Sequence, residues 1–505
     1  MNVLAVDLGT TALKAVLADA RGRTIATASF GYDTTGDREG FAEQDPAAWW
    51  SAFRTACDEL KQQAPGRFGS IDVISLCGQM HTHVYLGGDG APLRPAISWL
   101  DQRSSEITSS LATTPEKAEL IKRETANAVT TTYTAPNLLW TQQEEHEVWR
   151  KTRHILVAKD YVKYLLTGNM ATDYSEAAGT LLLNIPQSRW SEPLLELFGT
   201  PKEYLPELGK AAAVIGTVHR DAAAATGIAV GTPVINGATD NSTAALGAGV
   251  TEAGEATLII GTAGVVSVCS DKPIPDPADA VVCWNYALED RWINLGVMQT
   301  AGESLNWFRR AFDKEDSRSD GDIFSRYNEL VETVPDGCGG MIFLPYLNGE
   351  RTPHWDSDAR GVFFGAGLGT EKSHFIKAIM EGVAMALRNN ADTVEALGQE
   401  IGEVRAVGGG LRSRPWLSIL SRVLEKPIRL IRSVEPSVRG NVALGRYGLG
   451  DVNDPAEVVK AGEADSEELI DAPGEHGYDE QYRLFLDLYT HLKPMFRKRG
   501  AVYHT

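Results

Sequence analysis

Residues 3–17, Val3-Leu4-Ala5-Val6-Asp7-Leu8-Gly9-Thr10-Thr11-Ala12-Leu13-Lys14-Ala15-Val16-Leu17, decide how the rest of the chain is read. Four apolar residues form a buried strand, residues 7–11 form a turn, and residues 14–18 form a returning strand. Residues 19–23 make a second hairpin turn, and residues 24–30 supply a third strand. A strand–turn–strand carrying Asp, Gly and Thr is not a Walker loop, which continues as a helix and ends in Gly-Lys-Ser/Thr. The same unit recurs later. Residues 255–260 lead into Gly261-Thr262-Ala263-Gly264 and then the apolar residues 265–269. Two apolar strands bracketing a Gly-Thr turn, half a chain apart, point to a duplicated α/β domain with two facing turns.

The 505 residues are too many for one hydrophobic core, and the length alone allows roughly two to four domains. The first lobe is expected over residues 1–250, the second over 251–450, and a C-terminal extension with a closing helix over 451–505. Acidic residues outnumber basic ones, 67 to 48, so nucleic acid and anionic membrane surfaces are poor partners. Net charge describes the surface and leaves an anion in a local pocket open. The first basic residue is Lys14 and Asp7 interrupts the first apolar run, the reverse of a signal peptide. Five scattered cysteines form no CxxC pair, which excludes a zinc site or disulfide framework of the usual spacing and fits a cytoplasmic protein.

Phosphoryl transfer needs N–H and hydroxyl donors around phosphate oxygens, and a carboxylate for Mg²⁺. Gly9, Thr10, Thr11 and Lys14 supply the donors and the charge, and Asp7 supplies the carboxylate. An ordinary hairpin turn with an Asx-type bond from Asp7 is the alternative. Gly408-Gly409-Gly410, between an apolar strand and a helix capped by Ser413, allows close backbone approach by a flat ring. The chain continues with Leu411, Arg412, Ser413 and Arg414.

Gln79-Met80-His81 follows an apolar strand, at the carboxyl end where α/β sheets bind ligands. Gln79 and His81 can bond hydroxyls and Met80 offers an apolar wall. His81 with His83 on one strand face is a weaker metal reading, because no third ligand lies nearby. Trp99, Asp101 and Arg103 combine an aromatic face with polar groups, which suits a sugar; a helix N-terminus with Asp101 and Arg103 solvated is the preferred reading of these residues alone. Asp240 stands at a strand end among Gly237, Ala238 and Thr239, open to an approaching hydroxyl whose proton it can take. It can also serve as the N-cap of the helix after it. Residues 349–355, Gly-Glu-Arg-Thr-Pro-His-Trp, are unusually polar and aromatic after an apolar run.

Taken in order from Val3 to about Gly450, these pieces resemble the FGGY family of carbohydrate kinases. That family belongs to the superfamily of actin and the chaperone ATPases. The turns at Gly9 and at Gly261-Thr262 resemble its two phosphate motifs, and Gly409-Gly410 its adenosine motif, with Arg414 expected among the cofactor-binding residues. Thr300-Ala301-Gly302 resembles a further nucleotide-contacting stretch. The resemblance implies two ribonuclease-H-like lobes around a central cleft and the cofactors ATP and Mg²⁺. Asp7 would hold the metal and Asp240, followed by Asn241, would be the catalytic base. Met80-His81, 173–180 and 349–355 are similar to segments of the family's xylulokinase branch, which implies D-xylulose as acceptor. Ribulose, gluconate or a polyol such as erythritol or glycerol would be the alternatives, a non-catalytic actin-like or chaperone-like nucleotide switch is a further one, and a homodimer is a possible assembly. Thr82-His83 departs from that branch, which has Gly after the Gln-Met-His triplet.

Overall fold

The computed structural model describes residues 1–313, 320–431, 435–461, 467–470 and 477–503. Strand β1 (Asn2–Leu8) is buried along nearly its whole length, as a central strand covered on both faces must be. It pairs antiparallel with β2 (Ala12–Asp19), which pairs antiparallel with β3 (Thr24–Gly31). On its other side β1 pairs parallel with β4 (Val73–Gly78), and β4 pairs parallel with β5 (Pro233–Ile235). The order is β5-β4-β1-β2-β3.

The second sheet repeats this plan strand for strand. Strands β6 (Ala256–Ile260), β7 (Gly264–Ser270) and β8 (Trp292–Met298) form the antiparallel meander. β9 (Val404–Val407) lies parallel beside β6, and β10 (Ile428–Ile431) parallel beside β9. The order β10-β9-β6-β7-β8 is that of the first sheet, with the same strand directions. The duplication expected from two short Gly-Thr turns is therefore a duplication of the whole five-strand core. In each sheet the turn after the first strand sits at that strand's carboxyl end.

The two halves are joined by a helix pair. Helix Asp240–Gly247 leaves the first sheet and crosses helix Pro436–Gly448 so closely that only small residues fit. A Cβ on Gly247 would lie 1.7 Å from the Pro436 carbonyl oxygen, and one on Gly440 would lie 2.0 Å from that of Thr243. Helix Pro436–Gly448 follows the second sheet in sequence yet packs on the first. Val438, Val442, Ala443 and Leu444 share one core with Val3, Ala5, Val73 and Ile235. The helix falls within the span expected for the second lobe and is buried against the first sheet. The 25-residue helix Asp479–Tyr503 closes the chain and buries Tyr482, Phe485, Tyr489 and Phe496 in the core of the second half. Among the described residues no helix is long and apolar enough to cross a membrane.

Candidate functional site

The first turn is built to leave backbone donors free. Tyr32 Oη donates to the Gly9 carbonyl, Gln44 Nε2 to Thr10 O at 2.7 Å, and the Tyr32 N–H to Thr11 O at 3.1 Å. With those carbonyls tied down behind, the N–H groups of Thr10 and Thr11 have no acceptor among the described residues. Successive unpaired N–H groups of this kind form an anion nest. Trp99 Nε1 donates to Thr10 Oγ1 at 3.0 Å, so Trp99 braces the turn.

The second turn reaches the same end by other means. Gly302 N–H donates to Gly261 O at 2.9 Å, and Ala301 N–H to Thr262 O at 2.9 Å. A Cβ on Gly302 would lie 2.5 Å from Gly261 O, so helix Gly302–Phe312 can abut the turn only because its first residue has no side chain. Gly408, at φ +126°, passes equally close to Ile260, whose oxygen a Cβ there would meet at 2.5 Å. Gly410 approaches the Ile260 side chain, and Gly409 opens the short 3₁₀ turn Gly409–Arg412. Arg414 points elsewhere: it is exposed and ion-paired to Glu468 on the sheet edge.

Asp7 lies near the end of β1, opposite Cys77 on one side and Lys14 on the other. Burial raises its pKa, while hydrogen bonds from Ser437 and Cys77 oppose that rise. Ser75 Oγ donates to Asn441 Oδ1 at 2.7 Å and Asn441 Nδ2 reaches Cys77 Sγ at 3.3 Å, so helix Pro436–Gly448 forms the floor of this pocket. Sequence reasoning missed Ser437 and Asn441, because they lie more than 350 residues from the strands they touch. Lys14 is held in an ion pair with Glu435, at the N-terminus of that helix. The charge expected to face phosphate is thus matched by a carboxylate.

Asp240 is the first residue of its helix and not its cap. Thr239 takes the capping role, its Oγ1 accepting from Ser242 N–H at 3.3 Å. Asp240 Oδ1 accepts from Asn241 N–H at 2.6 Å. Burial, reinforced by the charge of Asp7, pushes the Asp240 pKa up to about 7. A carboxylate whose pKa is raised by the charge of another forms a place for a cation or a proton. The backbone before Asp240 is fixed by buried charges. Lys159 Nζ bridges Asp160 and Asp173 at 2.9 Å each, and Lys163 Nζ donates to Asn236 O at 2.7 Å. Asp173 holds Ser175, whose Oγ accepts from Thr239 N–H at 3.1 Å. A Cβ on Gly237 would fall 1.8 Å from Leu76 O, so the approach to Asp240 demands glycine.

Next to this lies the segment Gln79-Met80-His81. Gln79 is buried, donating to Gln44 at 2.8 Å and accepting from Thr82 at 3.1 Å. Thr82 also accepts from Trp99 N–H, so Thr82 ties the two expected sugar-facing segments together. His81 sits at φ +67° in the turn before the strand His83–Leu86, not on a common strand face with His83. Its Nδ1 lies 2.6 Å from Gly179 O, which makes Nδ1 the donor and leaves Nε2 an acceptor. Burial, against that hydrogen bond, lowers its pKa to about 4, so the ring is neutral at pH 7. His83 is a core residue bonded to His81 O and Tyr85, and no group of three or more His, Cys, Asp or Glu among the described residues could hold a metal ion. Asp101 also departs from expectation. It is fully buried, ion-paired to Arg103 and accepting from Ala42 N–H at 2.6 Å, and it braces the loop instead of facing a ligand. Arg103 is itself enclosed, stacked over Phe41 and Trp140.

The chain matches the model for the N-terminal domain of the FGGY family of carbohydrate kinases over residues 2–247, and that for its C-terminal domain over residues 256–449. It belongs to the FGGY family of carbohydrate kinases. It is 31% identical to a xylulose kinase of Bacillus subtilis (strain 168), over 98% of this chain and 97% of the relative. Among solved structures it is similar to a xyloylose kinase from Brucella ovis, with a TM-score of 0.90, 32% identity, and coverage of 98% of this chain and 100% of that one. A gluconate kinase from Lactobacillus acidophilus gives a TM-score of 0.91 at 28% identity, over 98% of this chain and 99% of that one. The carbohydrate-kinase fold is therefore the frame in which the two turns, Asp7 and Asp240 sit.

Proposed function

We propose that this carbohydrate kinase transfers the γ-phosphoryl group of ATP to the terminal hydroxyl of D-xylulose, giving D-xylulose 5-phosphate and ADP. The observation that carries it is Asp240, a carboxylate freed from capping duty with a pKa near 7, under the charge of a second, half-buried carboxylate, together with two turns whose N–H groups are free. The full-length likeness to a xylulose kinase favours the ketopentose over other acceptors.

Asp240 takes the proton of the hydroxyl as its oxygen bonds to the γ-phosphorus and the bond to the ADP oxygen breaks. A base whose pKa lies near the working pH is well matched to that transfer. The N–H groups of Thr10, Thr11 and Thr262 donate to phosphate oxygens, and Gly9, Gly261 and Gly302 allow the backbone to come that close. Gly409 and Gly410 leave room for the adenosine. Asp7 suits Mg²⁺, which is held by one or two carboxylates together with substrate phosphates and water. When bound, the ion neutralises charge developing on the phosphates. Gln79, Met80, His81 and Asn241 line the sugar side, with Trp99 holding the first turn against it.

ADP release measured with a panel of ketoses, sugar acids and polyols tests the acceptor, and turnover on D-xylulose no greater than on the others would reject it. Asp240→Asn should lower sugar-dependent ADP release by about 10²–10⁴-fold while leaving ADP affinity within about twofold. Retained sugar phosphorylation in that variant would remove Asp240 as the base.

A further inference from the structure

Thr82, the residue at which the sequence departs from the xylulokinase branch, is fully buried and takes no part in the chemistry above. Its hydroxyl donates to Gln79 Oε1 at 3.1 Å and accepts from Trp99 N–H at 3.2 Å. Gln79 Nε2 donates to Gln44 Oε1 at 2.8 Å, and Gln44 Nε2 donates to Thr10 O at 2.7 Å. Trp99 Nε1 returns to Thr10, donating to its Oγ1 at 3.0 Å. Five residues from four separate segments thus close one ring of hydrogen bonds.

The direction of every step is fixed. Trp49 Nε1 can only donate and bonds Gln44 Oε1 at 3.2 Å, so Gln44 must face Thr10 O with its amide NH₂. Gln79 then has to donate to Gln44 Oε1, and turns its own oxygen to Thr82, whose hydroxyl gives up its proton to it. Gln44 and Gln79 are each 1% exposed and Thr82 is 0% exposed. Breaking any step between them leaves a buried polar group unpaired, and bonds in such a chain strengthen one another.

The ring has an end on each side of the reaction. Met80 and His81 lie between Gln79 and Thr82, and the Thr82 N–H donates to Met80 O at 2.7 Å, holding His81 at φ +67°. At the other end Thr10 is gripped by both its carbonyl and its hydroxyl. That carbonyl shares a planar peptide with the Thr11 N–H, so Gln44 sets the aim of a donor in the first nest. We propose that Thr82 is a positioning residue: by closing this ring it couples the acceptor-facing segment to the phosphate turn. The role rests on the assignments of Thr10, Thr11, Met80 and His81 proposed above, and adds that the two sites are linked. An acceptor that moves Met80 or His81 draws on Gln79 and Thr82, and the ring carries the shift to Thr10. Whichever ligand binds first orders the ring for the second, so the coupling is positive and equal in both directions.

Calorimetric binding of a non-hydrolysable ATP analogue, with and without the panel's best acceptor (D-xylulose on the reading above), gives this link as a ratio of dissociation constants. In the wild type the acceptor should tighten the analogue by about 5–150-fold. Thr82→Val keeps the shape and removes the hydroxyl, and should bring the ratio below about threefold. Thr82→Ser keeps the hydroxyl and should hold the ratio within about twofold of wild type. Trp99→Phe opens the ring at Thr10 Oγ1 from its half-buried side, and should lower the ratio whether or not Thr82→Val folds. A purely structural residue would weaken each ligand alone or lower Tm, and would leave the ratio as it was. A wild-type ratio near one, or a ratio unchanged by Thr82→Val or by Trp99→Phe, would overturn the role. Equal loss in the Ser and Val variants would overturn it too, by assigning the effect to side-chain fit and not to the hydroxyl. Wild-type protein that phosphorylates no member of the panel would instead defeat the sugar-kinase reaction itself, and the role of Thr82 with it.

Discussion

The two Gly-Thr turns occupy equivalent places in equivalent sheets, but they are not chemically equivalent. In the first, Asp7 and Lys14 face each other across β1 and β2. At the same register in the second stand Ile259 and Val265. The first turn is laced by side chains, Tyr32, Gln44 and Trp99. The second is braced by the backbone N–H groups of Ala301 and Gly302, at the start of a helix. Both leave N–H groups for an anion, and only the first adds a carboxylate. On the function proposed above, one fold would hold phosphate twice and do chemistry once. Function depends on the side chains that decorate the repeat, not on the repeat.

The largest break in this comparison should come from Asp7→Asn, which makes the first turn resemble the second. It should reduce kcat by about 10²–10³-fold and flatten its dependence on magnesium concentration. Ile259→Val at the matching register should change kcat by less than about threefold. Comparable losses from both variants would mean that the turns share the work.

A sharper test uses pH. Asp240 acts as a base only when ionised, so kcat/KM should fall about tenfold per pH unit below its pKa near 7. Because the charge of Asp7 adds to burial in raising that pKa, Asp7→Asn should move the inflection of the residual activity to lower pH. An inflection that stays in place would show that burial alone sets it. The smallest effect concerns the second turn. Gly302→Ala forces a Cβ toward Gly261 O and should raise KM for ATP by about five- to tenfold, leaving KM for the sugar unchanged. A sugar effect of equal size would mean that the second turn also shapes the acceptor side.

Much of this was legible in the residues. The strands flanking both turns, Asp7 at the end of β1 and Asp240 at a strand end follow from local apolar runs and glycine placement. What the residues left open turned on partners far away in the chain. Asp101 reads as sugar-facing until Ala42 and Arg103 are seen to consume it. Lys14 reads as a phosphate contact until Glu435, 421 residues on, is found beside it. Ser437 and Asn441 carried no local signal toward the site, since nothing in their own segment names the strands they meet.

The sequence by itself determined where the backbone turns, which turns are rich in free N–H groups, and which residues bring carboxylates to strand ends. These are short-range matters of sterics and apolar patterning, settled within about ten residues. Only the tertiary structure decided that the charge of Asp7 bears on Asp240 and that helix Pro436–Gly448 returns to floor the pocket of Asp7. Burial and Coulomb interaction act through space, and distance along the chain does not enter into them.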